Sequence, residues 1–107
     1  MTGQDATVQG LQHIMDGDQC MTVFKDTKKE ADAASQLAIA LAHGQKPTTA
    51  TQTTVDPTTK ANVPSVLLAP ESITIKNIND VVAAGGTTKA ALCTGAYVAK
   101  CAAAGVQ

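Results

Sequence analysis

The first part of the chain shows a helical pattern followed by an extended one. Apolar side chains recur at helical spacing within residues 8–15, and Gly17 follows, which predicts an amphipathic helix with a left-handed end. The apolar, β-branched run of residues 20–25 predicts a buried strand. The short polar segment of residues 2–5 is interpreted as the end of a further strand. These patterns predict a strand, a helix and a second strand.

A longer helix is predicted after the second strand. Thr27 and Glu30 have the spacing of a capping box, in which each side chain accepts from a free backbone N–H. His43 and Gly44 mark the end of this helix. One face carries small and aliphatic side chains, with Leu37 beside it: Ala31, Ala34, Ala38 and Leu41. This face is expected to pack closely on a sheet.

The middle of the chain is rich in threonine and leaves two interpretations open. Residues 46–62 form either a flexible linker or a strand at 51–55 followed by a turn at Asp56 and Pro57. Residues 63–70 predict another strand, and residues 73–75 a short extended piece.

The last part of the chain is predicted to be helical. Asn77 or Asn79 begins a short helix that Gly85 and Gly86 end. Residues 88–106 form an alanine-rich helical pattern that is broken at Thr94 and Gly95. The alternation of strands and helices along the whole chain favours an α/β architecture with a largely parallel sheet.

Composition limits the core and the class of function. The 107 residues include 19 Ala but one Phe, one Tyr and no Trp, which is a thin supply for one small domain and indicates a piece of something larger. With no Arg and a net charge of -1, the chain offers no basic patch for nucleic acid. No apolar run approaches the roughly 20 residues of a membrane span. Residues 1–5 lack the features of a signal peptide.

The cysteines allow two interpretations. Cys93 and Cys101, eight residues apart, are either buried thiols or a short-loop disulfide. Cys20 lies in the predicted strand interior. No CxxC pair and no nearby histidine provides zinc-ligand spacing, so no metal site is expected.

Enzyme chemistry finds no support in the sequence. No serine lies in a GxSxG elbow, and His13 and His43 fall on or at the end of helices. No glycine-rich loop precedes a helix, so a phosphate-bearing cofactor is not expected either. We therefore predict no catalytic residue and no cofactor.

Two charged residues follow neighbouring predicted strands. Asp5 ends the first strand and Lys25 ends the second, and ligands of open α/β sheets bind at the carboxyl ends of strands. A carboxylate accepts hydrogen bonds from vicinal hydroxyls, and an ammonium donates to hydroxyl or ring oxygens. The pair suits a small polyol or a sugar; the alternative is an ordinary surface ion pair.

Several segments together resemble the xylose-binding and multiple-monosaccharide-binding proteins of bacterial ABC importers. The resemblance covers residues 2–86. The segments that carry it, in chain order, are Thr2-Gly3-Gln4-Asp5-Ala6, Met21-Thr22-Val23-Phe24-Lys25-Asp26-Thr27, Gly44-Gln45-Lys46-Pro47, Val63-Pro64-Ser65 with Leu67-Leu68 and Pro70, and Asn77 before Asp80-Val81.

The resemblance implies a fragment of the type I periplasmic-binding-protein fold, in which two α/β lobes close on a sugar. By its motifs, Asp5 and Lys25 would bind sugar hydroxyls, with Gln4 and Phe24 in support. The extracytoplasmic location of the family, periplasmic or as a cell-surface lipoprotein, favours a Cys93–Cys101 disulfide.

The chain resembles only the C-terminal third of such a protein. The implied division assigns residues 1–25 to the C-terminal lobe, 26–62 to the N-terminal lobe, 63–86 to the hinge return and C-terminal lobe, and 87–107 to a helical extension. The implied function is capture of a monosaccharide for an ABC permease. The alternatives are an interaction module that self-associates through exposed strand edges, and a sugar-sensing subunit of the same fold.

Overall fold

The computed structural model describes all 107 residues, Met1–Gln107. Strands and helices alternate much as predicted. The elements are α1 (Val8–Asp16), β1 (Thr22–Phe24), α2 (Thr27–Ala42), β2 (Gln52–Val55), β3 (Asn62–Ser65), β4 (Glu71–Ile73), α3 (Ile78–Ala83), α4 (Lys89–Leu92) and α5 (Tyr97–Ala103). None of these helices combines the length and the apolar character that crossing a membrane requires.

The chain divides into two compact units. Unit 1 comprises Met1–Asp26 and Pro70–Gln107, and unit 2 comprises Thr27–Ala69. Unit 1 contains the antiparallel pair β1–β4, and unit 2 contains the antiparallel pair β2–β3. The assignment of chain segments to lobes that the resemblance implies stays a prediction.

Parallel pairing is less extensive than the predicted, largely parallel sheet. It is confined to a bridge between Thr2 and Met21. Helix α1 lies between these two residues in the chain and forms the crossover that parallel neighbours need. The hairpin of β2 and β3 closes through a short turn, in which Asp56 donates its N–H to the carbonyl of Ala61 over 2.9 Å. Such a turn permits only antiparallel neighbours.

The hydrophobic core lies in unit 1. Helix α1 begins after Thr7, whose side chain accepts from the N–H of Gly10, and ends at Gly17 with φ of 85°. Both ends of this helix agree with the sequence pattern. The buried apolar residues are Ala6, Leu11, Ile14, Phe24, Ile73, Ile78, Val81, Leu92, Cys101 and Val106.

The C-terminal tail is part of this core. Leu92, Cys101 and Val106 are all buried against it. Cys93 and Cys101 form a disulfide, with their Cα atoms 5.8 Å apart. The break between α4 and α5 occurs at the predicted position, where Gly95 has φ of 54°. The tail therefore packs on the rest of unit 1 as well as being helical.

Unit 2 differs from the prediction in its packing. Helix α2 forms over Thr27–Ala42, yet none of its side chains is buried. The expected packing of its alanine face on a sheet is therefore wrong for this chain, because unit 2 contains only a two-stranded hairpin. In the threonine-rich region the strand interpretation is correct: β2 is followed by a turn in which Asp56 accepts from the N–H of Thr58.

Two strand predictions extended too far. Cys20 is exposed and precedes β1 at a bend, so it does not lie in a strand interior. The strand predicted for residues 63–70 ends at Ser65. The Cys20 N–H still donates to the carbonyl of Met1 over 2.8 Å, so this residue pairs with the start of the chain without belonging to the β1–β4 pair. After Ser65 the apolar run continues beyond the residues that pair with β2, and pairing rather than hydrophobicity decides where that strand ends.

Candidate functional site

A short parallel ladder brings Asp5 next to the end of β1. The N–H of Gly3 donates to the carbonyl of Met21 over 2.9 Å, and the N–H of Asp5 donates to that of Val23 over 2.8 Å. Residues 1–5 thus run alongside residues 20–23 in the same direction. Lys25 follows β1 by one residue, so the ladder leads both charged residues to the same edge, as the sequence predicts.

Asp5 lies in an unusual backbone conformation. Its φ is 73° and that of Ala6 is 44°, which is a costly pair of values for two consecutive residues other than glycine. The turn is held by a hydrogen bond of 3.2 Å from the Ala6 N–H to the hydroxyl oxygen of buried Thr22. Backbone strain of this kind is concentrated at functional sites, and here it determines where the Asp5 side chain leaves the chain.

The two charged groups form an ion pair. The Lys25 Nζ lies 2.7 Å from the Asp5 Oδ1, and the side chains are 43% and 62% exposed, respectively. An ion pair in contact with water contributes little to stability. Little is therefore lost when a ligand hydroxyl takes over one of its hydrogen bonds. The exposed carboxylate and ammonium together provide acceptors and donors for vicinal hydroxyl groups.

Of the two supporting residues suggested by the resemblance, Phe24 is buried and Gln4 is exposed. Phe24 precedes Lys25 and anchors the end of β1 in the core of unit 1. Gln4 lies in the turn immediately before Asp5. Thr22 supports the turn directly, a role that the motifs did not predict. Its signal would have been a hydroxyl side chain on the buried face of an otherwise apolar strand.

A second charged cluster lies at the other end of α1. Asp16 accepts hydrogen bonds from the Tyr97 hydroxyl, over 2.8 Å, and from the Lys100 ammonium. These bonds, chiefly that from Lys100, lower the pKa of Asp16. The bond to Asp16 raises the pKa of Lys100 and that of Tyr97. His13 and Asp18 lie nearby: a ring nitrogen of His13 and a carboxylate oxygen of each of Asp16 and Asp18 lie within 4.8 Å of one another.

Known sequences identify the class of protein. The chain is 38% identical over 89 residues to the D-xylose-binding periplasmic protein of Escherichia coli, a match that covers 83% of the chain and 26% of that protein. It is 36% identical over 90 residues to the multiple sugar-binding periplasmic receptor ChvE of Rhizobium radiobacter, covering 84% of the chain and 25% of the receptor. No protein-family model matches the chain.

Solved structures agree with the sequence matches. A carbohydrate transporter solute-binding protein from Chloroflexus aurantiacus, in complex with D-glucose, superposes with a TM-score of 0.69 at 30% identity, covering 84% of this chain and 26% of that one. An ABC transporter solute-binding protein from Clostridium phytofermentans with bound β-D-glucose also gives a TM-score of 0.69, at 26% identity, covering 85% of this chain and 28% of that one.

The fold and these matches relate the chain to solute-binding proteins of the sugar-binding type. The chain belongs to the family of periplasmic sugar-binding proteins, and it spans about a quarter of the length of the curated relatives that it matches. The resemblance stated from the sequence motifs is thereby confirmed, as is the incomplete α/β fold that it implied.

Proposed function

We propose that the chain is part of the solute-binding component of an ABC sugar importer, in which Asp5 and Lys25 bind a monosaccharide. The observation that carries this proposal is the exposed ion pair at the end of the parallel ladder, with Asp5 held on a strained turn. An ordinary surface ion pair would need neither the ladder nor the strained backbone. The relatives named above are xylose- and multiple-sugar-binding proteins, and the similar solved structures contain glucose, which supports pentoses and hexoses as the substrate class of this proposal.

The proposed activity is capture without chemical conversion. The Asp5 carboxylate accepts from two neighbouring hydroxyls of the sugar, and the Lys25 ammonium donates to a hydroxyl or ring oxygen. Closure of the two lobes around the sugar removes water from these bonds and strengthens them, because hydrogen bonds to charged groups are stronger at low dielectric. The closed form is what an ABC permease would recognise.

An extracytoplasmic location belongs to the same proposal. The Cys93–Cys101 disulfide supports it, since disulfides persist in oxidising compartments. The division of the chain into two compact units supports the assignment of residues 1–25 and 63–86 to one lobe and 26–62 to the other. The assignment and the observed units differ by one residue at the first boundary and by seven at the second.

The proposal is tested by nuclear magnetic resonance titration of the chain with xylose and with glucose. We expect weak binding, with a Kd above about 1 mM, because most of the protein that surrounds the sugar in its relatives lies outside this chain. The amide shifts should change at Asp5 and Lys25 and not in unit 2. Shift changes that avoid both residues would contradict the proposal, and micromolar affinity would contradict the expectation that the chain contains only part of the sugar site.

A matched pair of variants sharpens this test. Asp5→Asn removes the charge and keeps a residue that tolerates positive φ, so the turn is retained. Asp32→Asn breaks an ion pair of the same 2.7 Å length, between Lys28 and Asp32 on α2. We expect Asp5→Asn to abolish the sugar-dependent shifts and Asp32→Asn to leave them unchanged. Equal effects of the two variants would contradict a specific role for Asp5.

A further inference from the structure

Three side chains with metal-binding groups meet where α1 ends. One ring nitrogen of His13 and one carboxylate oxygen from each of Asp16 and Asp18 lie within 4.8 Å of one another. We call these three residues the His13 cluster. The spacing of the cysteines predicts no metal site, and the cluster contains none of them. It lies at the opposite end of α1 from Asp5, so it is separate from the proposed sugar site.

The backbone at the end of α1 holds the cluster together. His13 and Asp16 are three residues apart on one helix, a spacing that places two side chains on the same face. Asp18 returns to His13, because its N–H donates to the His13 carbonyl over 3.0 Å in the turn that Gly17 makes with φ of 85°. The three groups are therefore brought together by local structure, and a bound ion would not have to order a loop.

The His13 ring has a bonding capacity that the protein does not use. Its Nδ1 atom is buried and has no hydrogen-bond partner. Buried polar atoms are nearly always paired with protein, water or an ion, because an unpaired one bears the full cost of losing its hydration. His43, by contrast, is exposed just after α2. A bound ion would give the His13 ring the partner that it lacks.

Asp16 is shared between the cluster and the C-terminal tail. One of its oxygens accepts from the Lys100 ammonium and the other from the Tyr97 hydroxyl. Each carboxylate oxygen has two lone pairs, so Asp16 can still accept a further ligand. Two carboxylates against one ammonium leave a net negative charge, and the carbonyl end of a helix adds to it. This charge favours a cation, and Lys100 partly opposes it.

We propose that the His13 cluster binds a zinc ion through a ring nitrogen of His13 and a carboxylate oxygen of each aspartate. Zinc takes nitrogen and oxygen ligands at about 2.0–2.2 Å in a tetrahedron, so its ligand atoms lie roughly 3.4 Å apart. Small side-chain rotations from separations of at most 4.8 Å reach this geometry, and water fills the fourth position. Calcium and magnesium prefer sets of about six or more oxygen ligands, which the cluster does not provide.

The test is calorimetric titration of the untagged chain with zinc chloride near neutral pH, after removal of metals by a chelator. Every protein carries Cys20→Ser, because an exposed thiol can bind zinc by itself. We expect one ion per chain with a Kd on the order of 10 μM, weaker than structural sites with four protein ligands. His13→Gln and Asp18→Asn should each weaken binding by about tenfold or more. Calcium chloride should not bind below about 1 mM.

His43→Gln provides the matched control, because it removes the other histidine of the chain. It should leave the zinc affinity unchanged, and circular dichroism should show that all variants keep their helices. The imidazole nitrogen resonances give a second readout that needs no substitution of a histidine: zinc should shift those of His13 and not those of His43. No zinc binding below about 1 mM, equal losses for His13→Gln and His43→Gln, or shifts confined to His43 would overturn the proposal.

Lys100→Met tests the role of Asp16. The substitution keeps an aliphatic side chain and removes the ammonium that bonds to the Asp16 carboxylate. A positive charge this close to the ion opposes zinc binding, so the variant should bind zinc about threefold or more tightly. Asp16→Asn should bind zinc at least about tenfold more weakly. Opposite changes in the two variants would support the proposal, and unchanged affinity in both would overturn Asp16 as a ligand.

Discussion

The ring of Phe24 occupies the space in which Gly86 would carry a side chain. A Cβ atom on Gly86 would lie 2.6 Å from the Phe24 Cε2 and 2.9 Å from the Val81 Cγ1. Phe24 is the last residue of β1 and directly precedes Lys25. The absence of a side chain at Gly86 therefore lets the end of β1 pack against α3 and sets the position from which Lys25 extends.

Gly86→Ala is expected to destabilise unit 1. The added methyl group forces the Phe24 ring or Val81 to move, and overpacking of this kind costs about 1–3 kcal/mol in free energy of unfolding. The measurement is urea unfolding followed by tyrosine fluorescence, since the only tyrosine, Tyr97, lies in unit 1. Ala83→Ser, at an exposed position of α3, the helix that contains Val81, serves as the control. A loss of the same size in both variants would contradict the packing argument.

Removal of the disulfide is expected to loosen the tail. Replacement of Cys93 and Cys101 by serine should lower the free energy of unfolding of unit 1 by roughly 2–3 kcal/mol, because the closed loop no longer restricts the unfolded chain. Reduction of the unaltered protein should have a similar effect. Cys20→Ser, at an exposed position, should change the stability very little. A double variant as stable as the parent would show that the packing of Leu92 and Val106 alone holds the tail.

The stability of unit 1 should depend on pH through Asp16. Its pKa is lowered below the usual 3.8 by the hydrogen bonds from Lys100 and Tyr97. A lowered folded-state pKa means that the stabilising contribution is present above pH 3.8 and is lost as the pH falls through the lower, folded-state value. Asp16→Asn should therefore be less stable than the parent at pH 7, and the difference should shrink in acid.

The same cluster predicts the behaviour in alkali. The pKa of Lys100 is raised above its usual 10.5 and that of Tyr97 above its usual 10.0. The contribution of these two groups to the stability of unit 1 is therefore present at neutral pH and is lost as the pH rises through the raised pKa values. Thermal unfolding of Asp16→Asn and of the control Asp18→Asn, measured from acid to alkaline pH, checks both the loss of stability in acid and the loss in alkali. A pH-independent difference, or the same profile for the control, would contradict the assignment to Asp16.

Truncation of a leucine should affect stability far more in unit 1 than in unit 2. Leu11 is fully buried in unit 1, and Leu11→Ala should cost about 2–5 kcal/mol in free energy of unfolding. Leu41 on α2 is 64% exposed, and Leu41→Ala should change the stability by less than about 0.5 kcal/mol. Urea unfolding followed by Tyr97 fluorescence and by circular dichroism checks both. A large effect of Leu41→Ala would contradict the exposed position of α2.

Local patterns made the ends of many elements predictable from the chain alone. The left-handed conformation of Gly17 and the break in the tail before Tyr97 follow from sterics that act within a few residues. The association of Asp5 with Lys25 could also be anticipated, because a helix between two strands brings the ends of those strands together. The hydroxyl of Thr22 stands out in an apolar run, but its partner, the Ala6 N–H, could not be anticipated, since it depends on the register in which residues 2–5 pair with residues 21–23.

The sequence by itself determined the helices, the turn residues, the chemistry available at Asp5 and Lys25, and the relation to sugar-binding proteins. The tertiary structure alone decided that β1 pairs antiparallel with β4, that the tail completes the core of unit 1, and that α2 buries none of its side chains. The physical reason is the range of the interactions. Caps and turns depend on neighbouring residues, whereas burial depends on which distant surfaces are present to cover an apolar face.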